Sequence, residues 1–347
     1  MSHKLDDYNY DLPEEYIAQQ PIYPRDHSKL MVVKESSDKF IHKNFFDIID
    51  FLSKGDILVV NNSKVIPARL HGKKVPTGGK VEALLLKKRK EENVWECLVK
   101  PARRLKVGQD LSFGNDQLKA KIIEELPEGR RLIKFEDAKN IDELIDKVGE
   151  MPLPPYIKEE LENKDRYQTV YAKWRGSAAA PTAGLHFTDE LIEKIEDKGI
   201  IIAEVMLHVG LGTFRPVDSD DITKHIMHSE YYEINNETAE KLNDAKRDGK
   251  KIVAVGTTSI RVLESAANEE GLLEAKKGKT DIFIYPGYEW KFVNSLITNF
   301  HLPKSSLLML VSAFIGRDKI LKAYEEAKRK SYRFFSFGDA MFLTRRN

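Results

Sequence analysis

Hydrophobic and polar positions divide this chain into two textures. Between Ile57 and Phe135 the apolar residues fall in short runs, Ile57–Val60, Val81–Leu86, Val94–Val99, Leu118–Ile123 and Arg131–Phe135. Turn-rich breaks such as Pro76-Thr77-Gly78-Gly79 and Phe113-Gly114-Asn115-Asp116 separate them. Five or six short strands at close spacing predict a small antiparallel barrel or sandwich. A short helix is expected over Ile141–Val148, and Gly149 to Tyr156 is proline-rich and stiff enough to mark a domain boundary.

After Tyr171 strands and helices alternate. Thr188 is placed to cap a helix over Asp189–Lys198 that closes at Gly199. Strands are expected at Ile200–Val209, Lys251–Val255, Ile282–Tyr285 and Leu296–Phe300. Helices are expected at Glu237–Arg247, Ser259–Ala267, Ser306–Phe314 and Lys319–Lys330. This order is that of an α/β domain, whose active sites gather in loops at the carboxyl ends of strands. The segment before Asn61 is assigned to this larger domain. The expected division is 1–60 with 151–347 for the larger domain and 61–150 for a strand-rich insertion.

Composition narrows the class. At 347 residues, with 41% hydrophobic and 32% charged, the chain suits a soluble globular protein of two domains. Its net charge is +1, so any basic surface must be local. Lys64 to Lys106 holds 13 Lys and Arg against 4 Asp and Glu, a net of +9. The longest apolar run, Leu307–Ile315, is too short to span a bilayer, and no secretory signal opens the chain. A cytoplasmic protein is expected. Cys97 is the one cysteine and reads as a small buried hydrophobe.

Several familiar motifs fail. Six residues separate Gly271 from Gly278-Lys279-Thr280, where a P-loop needs four. Gly210-Leu211-Gly212 lacks the third glycine of a dinucleotide fingerprint, since position 215 is Arg. His225 and His228 sit three residues apart without a third ligand, so no metal is expected.

Five loops stand out for small, hydroxyl-bearing and imidazole residues. The first runs from Gly176 to Thr188 and holds Ser177, Pro181, Thr182, Gly184, His186 and Phe187. The second, His208 to Pro216, follows a strand and carries Gly210, Gly212, Thr213, Phe214 and Arg215. The others are His228-Ser229-Glu230-Tyr231, Gly256 to Glu264 with Thr257, Thr258 and Arg261, and Thr298-Asn299-Phe300-His301. Five such loops on one alternating frame point to an enzyme.

These stretches, with Tyr10-Asp11-Leu12-Pro13, Val65-Ile66-Pro67-Ala68-Arg69-Leu70, Met151-Pro152-Leu153-Pro154-Pro155-Tyr156 and Phe337-Gly338-Asp339-Ala340-Met341, run nearly end to end. Together they resemble the S-adenosylmethionine:tRNA ribosyltransferase-isomerase family of queuosine biosynthesis. Departures are mild: Asn62-Ser63-Lys64 stands for the usual Asp-Thr-Arg, Ala102-Arg103 for Gly-Lys, and Asn294 for a frequent Asp.

The resemblance implies a larger barrel-like α/β domain carrying a small β-barrel. It implies transfer of the ribosyl part of S-adenosylmethionine to 7-aminomethyl-7-deazaguanine at a tRNA wobble position, with isomerisation to epoxyqueuosine and release of adenine and methionine. S-adenosylmethionine is then a consumed substrate, no cofactor is implied, and the expected partners are that tRNA and S-adenosylmethionine, with no membrane; a monomer is one open alternative for the oligomeric state.

This chemistry needs a base for the proton beside the sulfonium, and His186 or His208 suits it, with His228 or Glu230 as alternatives. Thr257, Thr258 or Asn299 could serve the departing adenine. Arg215, Arg261 or the amides at Gly210 and Gly212 suit the oxyanion, and Arg261 also competes for the methionine carboxylate. Ser177, Pro181, Thr182, Gly184, Thr213, Thr298 and His301 complete the expected substrate loops. Lys64, Arg69, Lys100, Arg103, Arg104 and Lys106 are the expected phosphate contacts, and Phe187, Phe214 or Tyr231 the stacking aromatic. Competing readings are a small-molecule transferase using the same substrate, and an RNA clamp without chemistry.

Overall fold

The structure is a computed structural model that describes residues 3–136, 140–159, 161, 163–210, 217 and 219–345. The chain divides into two compact units, one of Met1–Ser63, Pro155–Trp174 and Ala180–Asn347, the other of Lys64–Pro154 and Arg175–Ala179.

The larger unit is built on a nine-stranded mixed sheet. Its middle holds four parallel strands in the order Ile201–Leu207, Ile57–Asn61, Ile252–Val255 and Ser295–Asn299. Ile57–Asn61, Ile252–Val255 and Ser295–Asn299 are buried at every position, because parallel strands are covered on both faces and must be apolar throughout. Antiparallel Ala340–Thr344 follows, then Lys29–Lys34 and Phe40–Asn44. On the opposite flank come Glu230–Ile234 and Lys276–Thr280.

One core joins Leu58 and Val60 of the sheet to Phe45 and Ile48 of a 3-10 segment and to Leu191 and Ile195 of the helix Asp189–Asp197. Thr188 caps that helix as expected, accepting from the Leu191 amide at 3.1 Å. The helix Gly256–Ala266 packs over the four parallel strands and is buried along most of its length.

One strand expectation fails. Ile282–Tyr285 is irregular, and the flanking strand is Lys276–Thr280 instead. Its Lys-Lys-Gly-Lys-Thr sequence has no apolar alternation. It pairs through its backbone with Glu230–Ile234 at the end of the sheet order, where exposed lysines suit an edge. The strands Lys29–Lys34, Glu230–Ile234 and Ala340–Thr344 are absent from the sequence expectation.

In the smaller unit six antiparallel strands close a barrel in the order Arg130–Phe135, Val94–Lys100, Lys80–Lys88, Arg69–Val75, Asp110–Phe113 and Leu118–Glu125. Closure leaves no unpaired strand edge. Leu70, Ala83, Leu85, Val99, Leu111, Ile122 and Ile133 are buried with Cys97, whose thiol burial pushes well above its usual pKa. The helix Ile141–Val148 forms as expected. The segment Arg175–Ala179 returns to this unit from far along the chain: the Ile66 amide donates to the Ser177 carbonyl at 3.2 Å, and Arg175 forks onto Asp146 at 2.7 and 2.8 Å.

Candidate active site

The parallel strands of the larger unit end at Asn61, Leu207, Val255 and Asn299, and the candidate residues cluster just beyond. Asn61 ties two of these ends together. Its carboxamide accepts from the Ser63 and Leu207 amides at 3.1 Å and donates to the Leu207 carbonyl at 3.0 Å. His208, the next residue, is therefore set on a braced strand end. Its amide bonds the Tyr231 carbonyl at 2.9 Å, and its ring stacks on Tyr231 with centroids 6.2 Å apart. Burial lowers the His208 pKa below its ordinary 6.5. Its Nδ1 is enclosed and has no partner among the described residues. This is a neutral imidazole held in place, with that nitrogen free of acceptor and donor among the described residues.

Glu230 is the hub of a second group. It is 3% exposed, accepts from the Gly210 amide at 2.7 Å, lies 3.1 Å from His228 Nε2 and pairs with buried Arg261. Burial pushes its carboxyl upward, but Arg261, His228 and the Gly210 amide outweigh it, so the pKa falls below the ordinary value. Glu230 is therefore a carboxylate held by Arg261, His228 and the Gly210 amide. His225 parts from His228: its ring meets Phe283 edge-on at 5.2 Å.

His186 differs from His208. It lies in the 3-10 segment Thr182–His186, stacked on Phe45 at 4.9 Å, with Nδ1 2.7 Å from Ser28 Oγ. Burial, then Arg333, pushes its pKa down to about 3 against the opposing pull of Asn299, with Arg25 adding to the fall. His301 is also pushed down to about 3 by burial, and its Nε2 lies 2.8 Å from Thr298 Oγ1. Asn299 donates to the Phe335 carbonyl at 2.9 Å, while its Oδ1 is enclosed without a partner among the described residues. Thr257 is buried, Thr258 Oγ1 has no partner among the described residues, and Pro181 and Thr182 open the 3-10 segment.

Gly184 is required by close approach. A Cβ there would stand 2.0 Å from Tyr171 Oη and 2.7 Å from Thr169 Cγ2. Gly184→Ala is expected to cost roughly 1–3 kcal/mol by overpacking. Urea unfolding checks this, and Gly184→Ala with Tyr171→Phe should recover only part of the loss, because Oη is gone while Thr169 Cγ2 at 2.7 Å and the ring carbon Cζ at 2.9 Å remain.

Two aromatic and loop expectations change. Phe187 is fully buried in the core, edge-on to Phe45 at 4.9 Å, and has no face for a nucleobase. Its apolar ring lies in the core cluster with Phe45, Leu191 and Ile195. Tyr231 is 38% exposed and stacks on His208. Gly212, Thr213, Phe214 and Arg215 lie outside the described residues. Ser177 belongs to the smaller unit, where its hydroxyl donates to the Ala179 carbonyl at 2.6 Å.

In that smaller unit, Arg103 and Arg104 are exposed on a 3-10 turn and Lys64 is exposed, none in an ion pair among the described residues. Lys106 pairs with Glu125 at 3.3 Å and Lys100 approaches Glu82 at 3.8 Å. Arg69 is half-buried, its backbone bonded to Glu150 and its Nε without a partner among the described residues. Sequence reasoning missed Ser28 and Asn61, isolated polar residues whose partners His186 and Leu207 lie more than 100 positions away.

Known proteins match over nearly the whole chain. A family model described as Queuosine biosynthesis protein covers residues 5–343. A curated Clostridioides difficile protein named S-adenosylmethionine:tRNA ribosyltransferase-isomerase is 56% identical, with 98% of this chain and 99% of that one covered. The chain belongs to the S-adenosylmethionine:tRNA ribosyltransferase-isomerase family of enzymes. A family member from Desulfitobacterium hafniense is 54% identical over 98% of this chain and 99% of its own. The crystal structure of the S-adenosylmethionine tRNA ribosyltransferase from Thermotoga maritima has a TM-score of 0.55 and 41% identity, covering 97% and 99% of the two chains. Both the mixed α/β unit and the small barrel of this family member thus accord with the fold expected of it. Among the described residues no helix is long and apolar enough to cross a membrane, and no group of three metal-ligating side chains gathers.

Proposed function

We propose that the enzyme transfers the ribosyl group of S-adenosylmethionine to 7-aminomethyl-7-deazaguanine at the wobble position of a tRNA. Isomerisation then gives epoxyqueuosine-tRNA, adenine and methionine. The observation that carries the chemistry is His208: a braced, neutral imidazole at a strand's carboxyl end whose enclosed Nδ1 has no partner among the described residues. The sulfonium of S-adenosylmethionine acidifies the adjacent 5′ C–H, and a base titrating near neutrality removes that proton best. His208 takes this role in our reading. His186, pushed down to about 3, is too weak a base at neutral pH and acts instead to hold Ser28 in place.

Thr257, Thr258 and Asn299, at the ends of adjacent parallel strands, are the groups for the departing adenine. Thr258 Oγ1 and Asn299 Oδ1 carry hydrogen-bonding capacity unused among the described residues. The exposed face of Tyr231 offers stacking for an unstacked base. In the smaller unit Lys64, Arg103 and Arg104 are the cations available to phosphates.

The deciding experiment incubates the protein with S-adenosylmethionine and tRNA carrying 7-aminomethyl-7-deazaguanine, and follows adenine and methionine by chromatography. Release of both with this tRNA and not with unmodified tRNA supports the reading. Bound tRNA with no release would make the protein an RNA clamp. Replacing Arg103 and Arg104 together by Ala should raise the tRNA KM. The salt dependence of tRNA binding should lose about 1–2 units of slope, with the S-adenosylmethionine KM unchanged. An unchanged slope would remove this turn from the RNA contact.

A further inference from the structure

We propose that Arg261 is the clamp for the carboxylate of the amino-acid end of S-adenosylmethionine, an assignment that rests on the ribosyl-transfer reading above. Arg261 is 3% exposed. Its Nη1 donates to Glu230 Oε2, while Nε and Nη2 are enclosed and have no partner among the described residues. Those two N–H groups form one edge of the guanidinium. Their parallel donors match the two oxygens of a carboxylate. Charged donors shut away from water without acceptors are costly, and a bound anion removes that cost.

The free edge is held in a set direction. Glu230 grips Nη1, and Glu230 is itself held by the Gly210 amide at 2.7 Å and by His228 at 3.1 Å. Side chains on a helix lean toward its N-terminus, so Arg261 leans toward the first turn of Gly256–Ala266. That turn follows a strand's carboxyl end, and Val255 gives it no side-chain cap. Thr257 lies on the same helix face, four residues earlier. Enclosure selects the kind of anion. An RNA phosphate sits on a polymer whose neighbouring charges stay in water, whereas a terminal carboxylate of a small molecule can be wholly surrounded.

The test compares S-adenosylmethionine with its decarboxylated analogue, S-adenosyl-3-methylthiopropylamine, by adenine release with the modified tRNA. The wild-type enzyme should favour the carboxylated substrate in kcat/KM by about 100-fold, mostly through KM. Arg261→Lys keeps a cation beside Glu230 but has no second edge. In that variant the preference should collapse below about fivefold, through loss on S-adenosylmethionine alone. Equal use of both substrates by the wild-type enzyme overturns the clamp without any variant. A folded Arg261→Lys that keeps the preference, or loses equally on both, also overturns it. Absence of adenine release by the wild-type enzyme from S-adenosylmethionine would have a different signature and would sink the ribosyl-transfer reading itself.

Discussion

His208→Gln should lower adenine release by about 10²- to 10⁴-fold, the range lost when a positioned general base is removed. Fold and stability should be nearly unchanged. The ring stacks on half-exposed Tyr231, and its Nδ1 makes no bond to the described residues. In the wild-type enzyme, activity should fall on the acid side as His208 takes up a proton. Because burial lowers its pKa, that acid limb should lie below 6.5. His208→Gln should show no such limb in its residual activity. A variant that keeps a tenth or more of wild-type turnover would take His208 out of the mechanism. His186→Gln serves as the contrast: it should lose stability, and its residual activity should keep the acid limb.

The second large effect is on stability against acid. His186 and His301 are both buried and neutral, with pKa values pushed down to about 3 from an ordinary 6.5. The folded chain cannot protonate them until the pH approaches 3, whereas the unfolded chain does so below 6.5. Their contribution to stability is therefore full above pH 6.5 and is lost as the pH falls toward 3. Each contributes a slope of up to about 1.4 kcal/mol per pH unit in that window. Two of them make the loss steep. The unfolding free energy, measured in urea at pH 7, 6, 5 and 4, should drop accordingly. His301→Asn should flatten the profile while lowering stability at pH 7. A profile with no slope between pH 6.5 and 5 would mean that these rings reach water in the native state.

Both results turn on a distinction that the sequence does not contain. His186 and His208 each stand in a glycine-rich loop beside hydroxyl residues and look equally suited to act as a base. The fold separates them by their surroundings. One ring lies against Phe45 with Ser28 and two arginines near, the other at the sheet's end against Tyr231. A pKa is set by desolvation and neighbouring charge, and both are properties of packing. Phe187 gives the same lesson. An aromatic next to a candidate histidine reads as a stacking platform, yet its ring is core.

Local physics was legible where it acts over a few residues. The cap at Thr188, the glycine endings at Gly199 and Gly249, and the apolar runs of the central parallel strands all declare themselves within about ten positions. So did the short strands of the barrel, whose alternation needs only near neighbours. Lys276–Thr280 was not legible, because an edge strand's pairing comes from its partner's backbone and not from its own apolar pattern. Nor was the return of Arg175–Ala179 to the barrel unit, since its partner Ile66 is over 100 residues away.

By itself, then, the sequence determined the α/β texture, the short strands of the barrel, the candidate loops and the family they resemble. These follow from side-chain type and short-range periodicity. Only the tertiary structure set the different surroundings of His186 and His208, gathered Arg261, His228 and the Gly210 amide on Glu230, and enclosed Nε and Nη2 of Arg261. Those outcomes depend on burial and on contacts between strand ends far apart in the chain, where each side chain meets groups that its own neighbours cannot foretell.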